Sequence, residues 1–310
     1  MFKTAFVYPG QGSQKCGMGR DFYTNFASAR RVFDDASEAL ELDIKQLCFQ
    51  PDERLDMTEY TQAAMVTTCM AITEVLREQG LKPDTAAGLS LGEYCAVSAA
   101  GAMNTSDAIS VVRQRGIFMQ EAVPAGVGAM AAVLGMEKSG VESVMQGMDG
   151  VYIANDNCPG QLVISGYKEA VQSCMDALSE AGARRTVLLN VSGPFHSPLL
   201  SGAGKQLEKT LSGVVLDALE IPYVTNVTGQ FVSRVQDIKP LLVQQVSSPV
   251  LWQQCVKTMV ESGVEQFVEI GPGKTLSAFI RKIDRNTKVM NVETVEDLDN
   301  LMEKMVMRRC

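Results

Sequence analysis

The strongest constraint on the fold is a change in patterning over residues 126–193. Short apolar runs that favour strands alternate there with two stretches of helical periodicity. The predicted strands are residues 129–134, 151–154, 162–165 and 186–191, and the predicted helices are residues 137–148 and 168–181. The order βαββαβ is that of the ferredoxin-like arrangement. This segment is therefore predicted to fold as a small unit of its own.

In the sequence on either side, single predicted strands are separated by predicted helices. Predicted strands at residues 4–8, 86–89, 221–225 and 266–270 are separated by predicted helices, including 21–42, 62–79, 91–100, 249–262 and 274–282. Gly and Pro at residues 124–126 and 192–194 are typical of hinges. We therefore predict a large α/β domain made of residues 1–125 and 194–310, with residues 126–193 inserted into it.

Composition excludes several classes of protein. The 310 residues carry a formal charge of −8, which disfavours a nucleic-acid partner. The eight cysteines contain no CxxC pair, so neither a disulfide framework nor a zinc site is predicted. The N-terminal apolar run is too short for a signal peptide, and no run is long enough to span a bilayer. We expect a cytoplasmic protein with no metal.

Residues 88–92 read Gly-Leu-Ser-Leu-Gly between a predicted strand and a predicted helix. This G-x-S-x-G pattern is typical of a tight turn that exposes a nucleophilic serine, here Ser90. The serine oxygen then lies at a helix N-terminus, where backbone N–H groups favour developing negative charge. The alternative is a serine that only caps the helix. The strand–turn–helix context favours the nucleophile.

A serine nucleophile needs a base, and the chain has a single histidine, His196. A lone histidine beside proline is more often structural. His196, however, directly follows the inserted segment, where a hinge could direct it into a cleft. No carboxylate partner for the imidazole is evident, so a backbone carbonyl is the alternative.

Two glycine-rich stretches suggest nucleotide binding but do not fit it. The loop after the first strand has Lys15 at the third glycine position of a dinucleotide fingerprint, and Gly273-Lys274-Thr275 has Val268 at the upstream glycine position of a phosphate loop. The N-terminal loop suits another role. Gln11, flanked by glycines, could lend its backbone N–H to an oxyanion hole together with that of Leu91.

Two arginines, Arg113 and Arg115, lie on one predicted helix and cannot share a face. A surface charge is the ordinary interpretation of either. If one is buried in the cleft, it suits a substrate carboxylate, because a guanidinium can donate two parallel hydrogen bonds.

Eight motifs in this order resemble the malonyl-CoA:acyl carrier protein transacylases of fatty acid and polyketide synthesis, and they span nearly the whole chain. They are FVYPGQGSQ, TQAA, GLSLGEY, RQRGIFMQEA, NDNCPGQLVISG, GPFHSPLL, QQVSSPVLW and EIGPGKTL. The resemblance implies an α/β-hydrolase-like parallel-sheet domain with a ferredoxin-like inserted subdomain. It also implies that Ser90 takes the acyl group, that His196 is its base, and that the main-chain carbonyl of Gln245 orients the histidine.

The remaining roles also follow from the resemblance. Gln11 and Leu91 match the oxyanion N–H donors, and Arg115 matches the arginine that binds the malonyl carboxylate. Phe195 matches the malonyl-selecting version of its motif. One position departs from the family pattern, since Leu89 stands where histidine usually precedes the serine.

The expected activity is ping-pong transfer of malonyl from malonyl-CoA to the phosphopantetheine thiol of acyl carrier protein, without a cofactor, by a monomer. A basic cluster at Arg281, Lys282, Arg285 and Lys288 is a candidate carrier surface. The alternatives are an acyltransferase that serves a polyketide synthase in trans, an enzyme with another acyl preference, a thioester hydrolase of the same fold, and a non-catalytic docking protein.

Overall fold

The computed structural model describes residues 3–124, 126–191 and 193–306. Ala125 and Ser192, which fall in the two predicted hinges, lie outside the described residues, as does Cys310. Ten strands and thirteen α-helices are present in the described part of the chain.

The strands fall into two sheets. In chain order they are β1 Lys3–Tyr8, β2 Thr85–Gly88, β3 Gly128–Leu134, β4 Val151–Cys158, β5 Gln161–Tyr167, β6 Arg185–Leu188, β7 Tyr223–Val224, β8 Phe231–Val232, β9 Val264–Ile270 and β10 Lys288–Val292.

The helices surround both sheets. They are α1 Arg20–Asn25, α2 Ala27–Ala39, α3 Ile44–Phe49, α4 Thr58–Glu78, α5 Gly92–Ala99, α6 Thr105–Glu121, α7 Lys138–Met145, α8 Lys168–Glu180, α9 Ser201–Ser212, α10 Ile238–Gln245, α11 Trp252–Glu261, α12 Thr275–Ile283 and α13 Val295–Val306.

The larger sheet has the order β10-β9-β1-β2-β7-β8 and is parallel except for β8. Its central strand β1 is apolar and almost wholly buried, because helices cover both faces. Successive side chains point to opposite faces, so Phe6 and Tyr8 join one hydrophobic core while Ala5 and Val7 join another. This two-sided burial agrees with the predicted α/β class.

The smaller sheet is antiparallel with the order β4-β5-β3-β6, which is the ferredoxin-like order for a βαββαβ unit. One face packs on α7 and α8 in a core of its own, whereas Met130 and Val163 from the other face join the main core. Two backbone hydrogen bonds, Asp156 N–H to Val250 O and Val250 N–H to Ala154 O, join β4 to the chain before α11. A cleft lies between the smaller sheet and the loops that follow β1 and β2.

The predicted elements are found, with corrections at their ends. β4 runs on to Cys158 instead of ending at residue 154, because a bulged register lets the β-disfavouring Asn155 and Asp156 pair with β5. β6 ends at Leu188 instead of residue 191, and the predicted helix over 21–42 is divided at Phe26. The exact bounds of the inserted segment stay a prediction.

Several elements were not predicted, namely α3, α9, α10, α13, β8 and β10. In α9 the helical pattern is obscured by Gly202 and Gly204, which are poor helix formers. Gly204 also packs closely on α10, because a Cβ there would lie 3.3 Å from Val243 O. Among the described residues, none of the helices is both long and apolar enough to span a membrane.

Candidate active site

Ser90 lies in the turn between β2 and α5 in the left-handed region, with φ of 52°. The turn is possible because the residues two positions before and after the serine, Gly88 and Gly92, have no Cβ. A Cβ on Gly88 would lie 1.9 Å from the carbonyl carbon of Gly92, and one on Gly92 would lie 2.2 Å from Tyr8 O. The G-x-S-x-G spacing therefore folds as the strained elbow that the sequence predicts.

His196 meets the serine across 106 positions of sequence. Its Nε2 lies 2.7 Å from Ser90 Oγ, and its Nδ1 lies 2.9 Å from the backbone carbonyl oxygen of Gln245. Gln245 ends α10, where helix carbonyls lack intrahelical partners. Since a carbonyl only accepts, Nδ1 carries the proton and Nε2 is left to accept from the serine. The predicted pair and the predicted carbonyl contact are both present.

Arg115 lies on α6 with only 1% of its surface exposed. Its Nη1 donates to Gln62 Oε1 at 2.8 Å, and its Nη2 donates to Gln245 Oε1 at 2.9 Å and to Ser90 Oγ at 3.1 Å. Arg113 points elsewhere and forms a 2.7 Å ion pair with Glu59. The two arginines thus diverge as their spacing predicts, and the structure brings Arg115 to the serine.

These contacts fix the direction of the hydrogen bond between serine and histidine. A guanidinium donates but never accepts, so Ser90 Oγ accepts from Arg115. Its own hydrogen is then free to point at His196 Nε2, which is the acceptor. The serine is therefore held in the orientation that proton transfer to the imidazole requires.

The predicted oxyanion donors, Gln11 and Leu91, line the same cavity as Ser90. Leu91 is the first residue after Ser90 and precedes α5, so its N–H lies at a helix N-terminus. The Gln11 side chain is occupied by a 3.1 Å hydrogen bond to Thr58 Oγ1. Neither backbone N–H donates to an acceptor among the described residues. Both are free to bind an oxygen in the cleft, and their role stays a prediction.

Three residues at this site were not identified from the sequence. Gln62 accepts from Arg115, Asn226 accepts from the Ser90 N–H at 2.6 Å, and Glu93 accepts from the Gln245 amide at 2.7 Å. Gln62 and Glu93 lie in motifs already noted, but nothing local shows which atoms they meet. Asn226 follows β7, which pairs with β2, so its position at the elbow depends on the sheet order.

The site opens into a cavity of about 400 Å³, within the range of small-molecule sites. Ser90, His196, Arg115, Gln11 and Leu91 all line it. Much of the remaining wall is apolar and comes from the smaller sheet, from α6 and α12, and from loops, namely Leu89, Met119, Met130, Val163, Leu189, Val191, Phe195, Leu276 and Phe279. No cluster of His, Cys, Asp or Glu in the described part of the chain could hold a metal ion.

The base is predicted to work well below neutral pH. Burial, and secondarily the charge of Arg115, lowers the pKa of His196 to about 4. We expect the rate at which a neutral fluorophosphonate labels Ser90 to stay flat from pH 8 to about 5 and to reach half its plateau near pH 4. Half-loss near pH 6.5 would instead indicate an imidazole that titrates as if exposed.

Stability over the same range must be measured as the control, because two buried groups titrate in opposite senses. His196 binds its proton less readily when folded, so stability falls by up to about 3 kcal/mol as pH drops from 6.5 to 4. Burial raises the pKa of Glu93 to about 7, so that carboxyl contributes the opposite change, a gain in stability as pH drops from 7 to 4.5. Between pH 6.5 and 4.5 the two effects largely offset each other, and thermal unfolding should show little net dependence on this pair.

Comparison with known proteins agrees with this geometry. Residues 5–300 match the family described as acyl transferase domain. A curated relative from Bacillus subtilis strain 168, named malonyl CoA-acyl carrier protein transacylase, is 43% identical over 96% of this chain and 96% of its own. A Staphylococcus aureus MRSA252 protein of the same name is 38% identical over 96% of this chain and 98% of its own.

Solved structures give the same result. The malonyl CoA-acyl carrier protein transacylase of Clostridium perfringens superposes with a TM-score of 0.96 at 42% identity, covering 99% of this chain and 98% of its own. A malonyl-transacylase solved in complex with a type II polyketide synthase acyl carrier protein superposes with a TM-score of 0.93 at 38% identity, covering 97% of this chain and 99% of its own. The chain therefore belongs to the malonyl-CoA:acyl carrier protein transacylase family of acyl transferases.

Proposed function

We propose that this protein transfers a malonyl group from malonyl-CoA to the phosphopantetheine thiol of acyl carrier protein through an ester on Ser90, in fatty acid biosynthesis. One observation carries the proposal. A serine oxygen 2.7 Å from a neutral imidazole also lies 3.1 Å from a buried guanidinium. The first contact suits acyl transfer, and the second suits an acyl group that ends in a carboxylate.

In the first half-reaction Ser90 Oγ attacks the thioester carbonyl while its proton passes to His196 Nε2. The N–H groups of Gln11 and Leu91 hold the tetrahedral oxyanion. The C–S bond then breaks, the imidazolium returns its proton to the departing sulfur, and free coenzyme A leaves. The product is a malonyl ester on Ser90, and the imidazole is neutral again.

Arg115 has hydrogens to spare for the malonyl carboxylate. Nη1 has two hydrogens, of which Gln62 takes one. Nη2 also has two, directed at Gln245 Oε1 and Ser90 Oγ. Once Ser90 is esterified, the hydrogen that faced its oxygen can join the spare Nη1 hydrogen in a two-pronged contact with the carboxylate. Phe195, in the cavity wall, then limits the space beside the acyl group, as expected of a malonyl-selective site.

In the second half-reaction the carrier's thiol enters the same cavity and gives its proton to His196. The thiolate attacks the ester carbonyl, the bond between the acyl carbon and Ser90 Oγ breaks, and the serine oxygen regains its proton from the His196 imidazolium. The apolar wall limits water at the ester, which favours the thiol over hydrolysis.

The basic cluster Arg281, Lys282, Arg285 and Lys288 stays a prediction for the carrier surface. Arg281 and Lys282 lie in the last turn of α12, whose first residue Thr275 lines the cavity. Lys282 is seven positions after Thr275, so at 1.5 Å per residue that turn lies roughly 10 Å further along the helix. Such a distance suits a carrier that docks beside the cavity and inserts a flexible arm. We also propose that the protein is a monomer and is located in the cytoplasm.

The closest rival is a hydrolase that passes the acyl group to water. Enzyme labelled with malonyl on Ser90 should pass nearly all of it to holo-carrier within seconds, and the malonyl-carrier product should greatly exceed free malonate by mass spectrometry. The control is apo-carrier, which lacks the thiol and should accept nothing. Release of malonate at the same rate with or without holo-carrier would establish the hydrolase instead.

One observation favours the alternative of an acyltransferase that serves a polyketide synthase in trans. The malonyl-transacylase that is 38% identical was solved in complex with a type II polyketide synthase acyl carrier protein. Comparing transfer to a fatty acid carrier with transfer to a polyketide carrier under the same conditions separates the two.

A further inference from the structure

A buried carboxylate that the proposed reaction does not use lies one turn beyond the nucleophile. Glu93 is on α5, three residues after Ser90, and none of its surface is exposed. Burying a carboxyl group is costly unless it is well hydrogen-bonded. Its Oε2 accepts from the Asn226 backbone N–H at 3.0 Å and from Gln245 Nε2 at 2.7 Å. Both partners in turn contact the reacting residues.

Through Asn226, Glu93 is connected by hydrogen bonds to the turn at Ser90. The Asn226 side chain accepts from the Ser90 N–H at 2.6 Å through Oδ1 and donates to Gly88 O at 2.7 Å through Nδ2. The Asn226 side chain therefore binds the backbone of the strained turn at two points, Gly88 and Ser90. Glu93 holds the backbone from which that side chain projects.

Through Gln245, Glu93 is connected by hydrogen bonds to the guanidinium of Arg115. Gln245 Nε2 has two hydrogens, and these go to Glu93 Oε2 and to Ser90 O at 2.9 Å. The amide oxygen is consequently turned toward Arg115 Nη2, 2.9 Å away. If the amide were reversed, it would present its NH2 group to a guanidinium that only donates. An acceptor at position 93 thus favours the one orientation that suits Arg115.

We infer that Glu93 is a positioning residue, which orients the Gln245 amide and thereby aims Arg115 at the acyl carboxylate while it supports the Ser90 turn through Asn226. The inference rests on the proposed function, because it concerns the selectivity of that same site. The acceptor oxygen, rather than the charge, does the positioning. Oε2 accepts two N–H groups, whereas Oε1 has no partner among the described residues and is the oxygen that a proton would occupy.

The test compares Glu93→Leu, which removes the acceptor at similar volume, with Glu93→Gln, which keeps one. The readout is kcat/KM for acylation of Ser90 by malonyl-CoA and by acetyl-CoA, which lacks the carboxylate. We expect Glu93→Leu to lower malonyl acylation about 100-fold and the malonyl-to-acetyl ratio at least tenfold. Glu93→Gln should keep that ratio within about threefold of the wild-type value.

A second measurement separates positioning from a general loss of structure. In an Arg115→Ala background, Glu93→Leu should leave the malonyl-to-acetyl ratio unchanged within about twofold, because the group it aims is already absent. A merely structural role would lower both acylations equally and leave the ratio intact in the wild-type background. That outcome in a folded Glu93→Leu protein would overturn the inference.

If Glu93→Leu does not fold, Gln245→Met takes its place. It keeps Glu93 and the backbone carbonyl that holds His196 but removes the amide, and it should lower the same ratio at least tenfold. An unchanged ratio would overturn the inference. A wild-type protein that takes no malonyl group would contradict the proposed function instead, so the two failures are distinguishable.

Discussion

Incubation with malonyl-CoA is expected to add the mass of one malonyl group to the wild-type protein and nothing to Ser90→Ala. In the proposed mechanism the serine oxygen bonds to the acyl group, and among the described residues no other hydroxyl is hydrogen-bonded to the His196 imidazole. Carrier-dependent transfer should fall by at least about 10⁴-fold, as it does when a nucleophile of this kind is removed. Intact-protein mass spectrometry and a transfer assay measure the two effects.

Alanine is the appropriate replacement because it keeps a Cβ at the left-handed position, so the strain of the turn is nearly unchanged. The matched control is Ser233→Ala, at an exposed serine outside the cavity, which should be acylated at the wild-type rate. A malonyl adduct on Ser90→Ala at the wild-type rate would place the nucleophile elsewhere. Absence of any adduct on the wild-type protein under turnover conditions would rule out the covalent intermediate.

Replacing Arg115 with Ala is expected to reduce malonyl acylation about 10³-fold while acetyl acylation falls far less. Arg115 is the one buried cation among the described residues that line the cavity, so the carboxylate of malonyl-CoA would lose that partner, whereas acetyl-CoA has no such group. Part of the loss is general, since the amide oxygens of Gln62 and Gln245 are left without their donor at about 1–3 kcal/mol each. The ratio of kcat/KM for the two acyl-CoAs isolates the specific part.

Arg113 supplies the control on the same helix. It pairs with Glu59 and packs over the Tyr60 ring, away from Ser90, so Arg113→Ala should leave the malonyl-to-acetyl ratio unchanged. Arg115→Lys should restore the charge but not the ratio, because one ammonium cannot replace two parallel N–H donors. Equal losses for malonyl and acetyl in Arg115→Ala would remove the proposed role of this arginine.

Much of the architecture could be predicted because it depends on local periodicity. The βαββαβ order of the inserted unit and the strands β1, β2 and β9 follow from apolar runs and turn residues that act over a few positions. The two-residue strand β8, the edge strand β10 and the glycine-containing helix α9 carry weaker local signals. Their formation depends on neighbours that pair or pack with them.

The residues of the site also fall into those that local sequence patterns predict and those that they do not. The G-x-S-x-G elbow can be predicted from five consecutive residues, because Gly88 and Gly92 leave the space that the turn at Ser90 needs. The histidine could be identified because the chain has no other. Gln62, Asn226 and Glu93 gave no comparable signal, because amides and carboxylates are common and their partners lie far away in sequence.

Local sequence patterns are enough to predict most of the strands and helices, the turn at Ser90, and the single histidine proposed as its base. Local patterns did not distinguish Arg115 from Arg113, and the hydrogen bond of Arg115 to the serine and the buried network of Glu93, Asn226 and Gln245 appear only in the folded protein. The physical reason is the range of the interactions. Backbone preferences act between neighbours, whereas a hydrogen bond between residues more than a hundred positions apart exists only after the sheet order has brought them together.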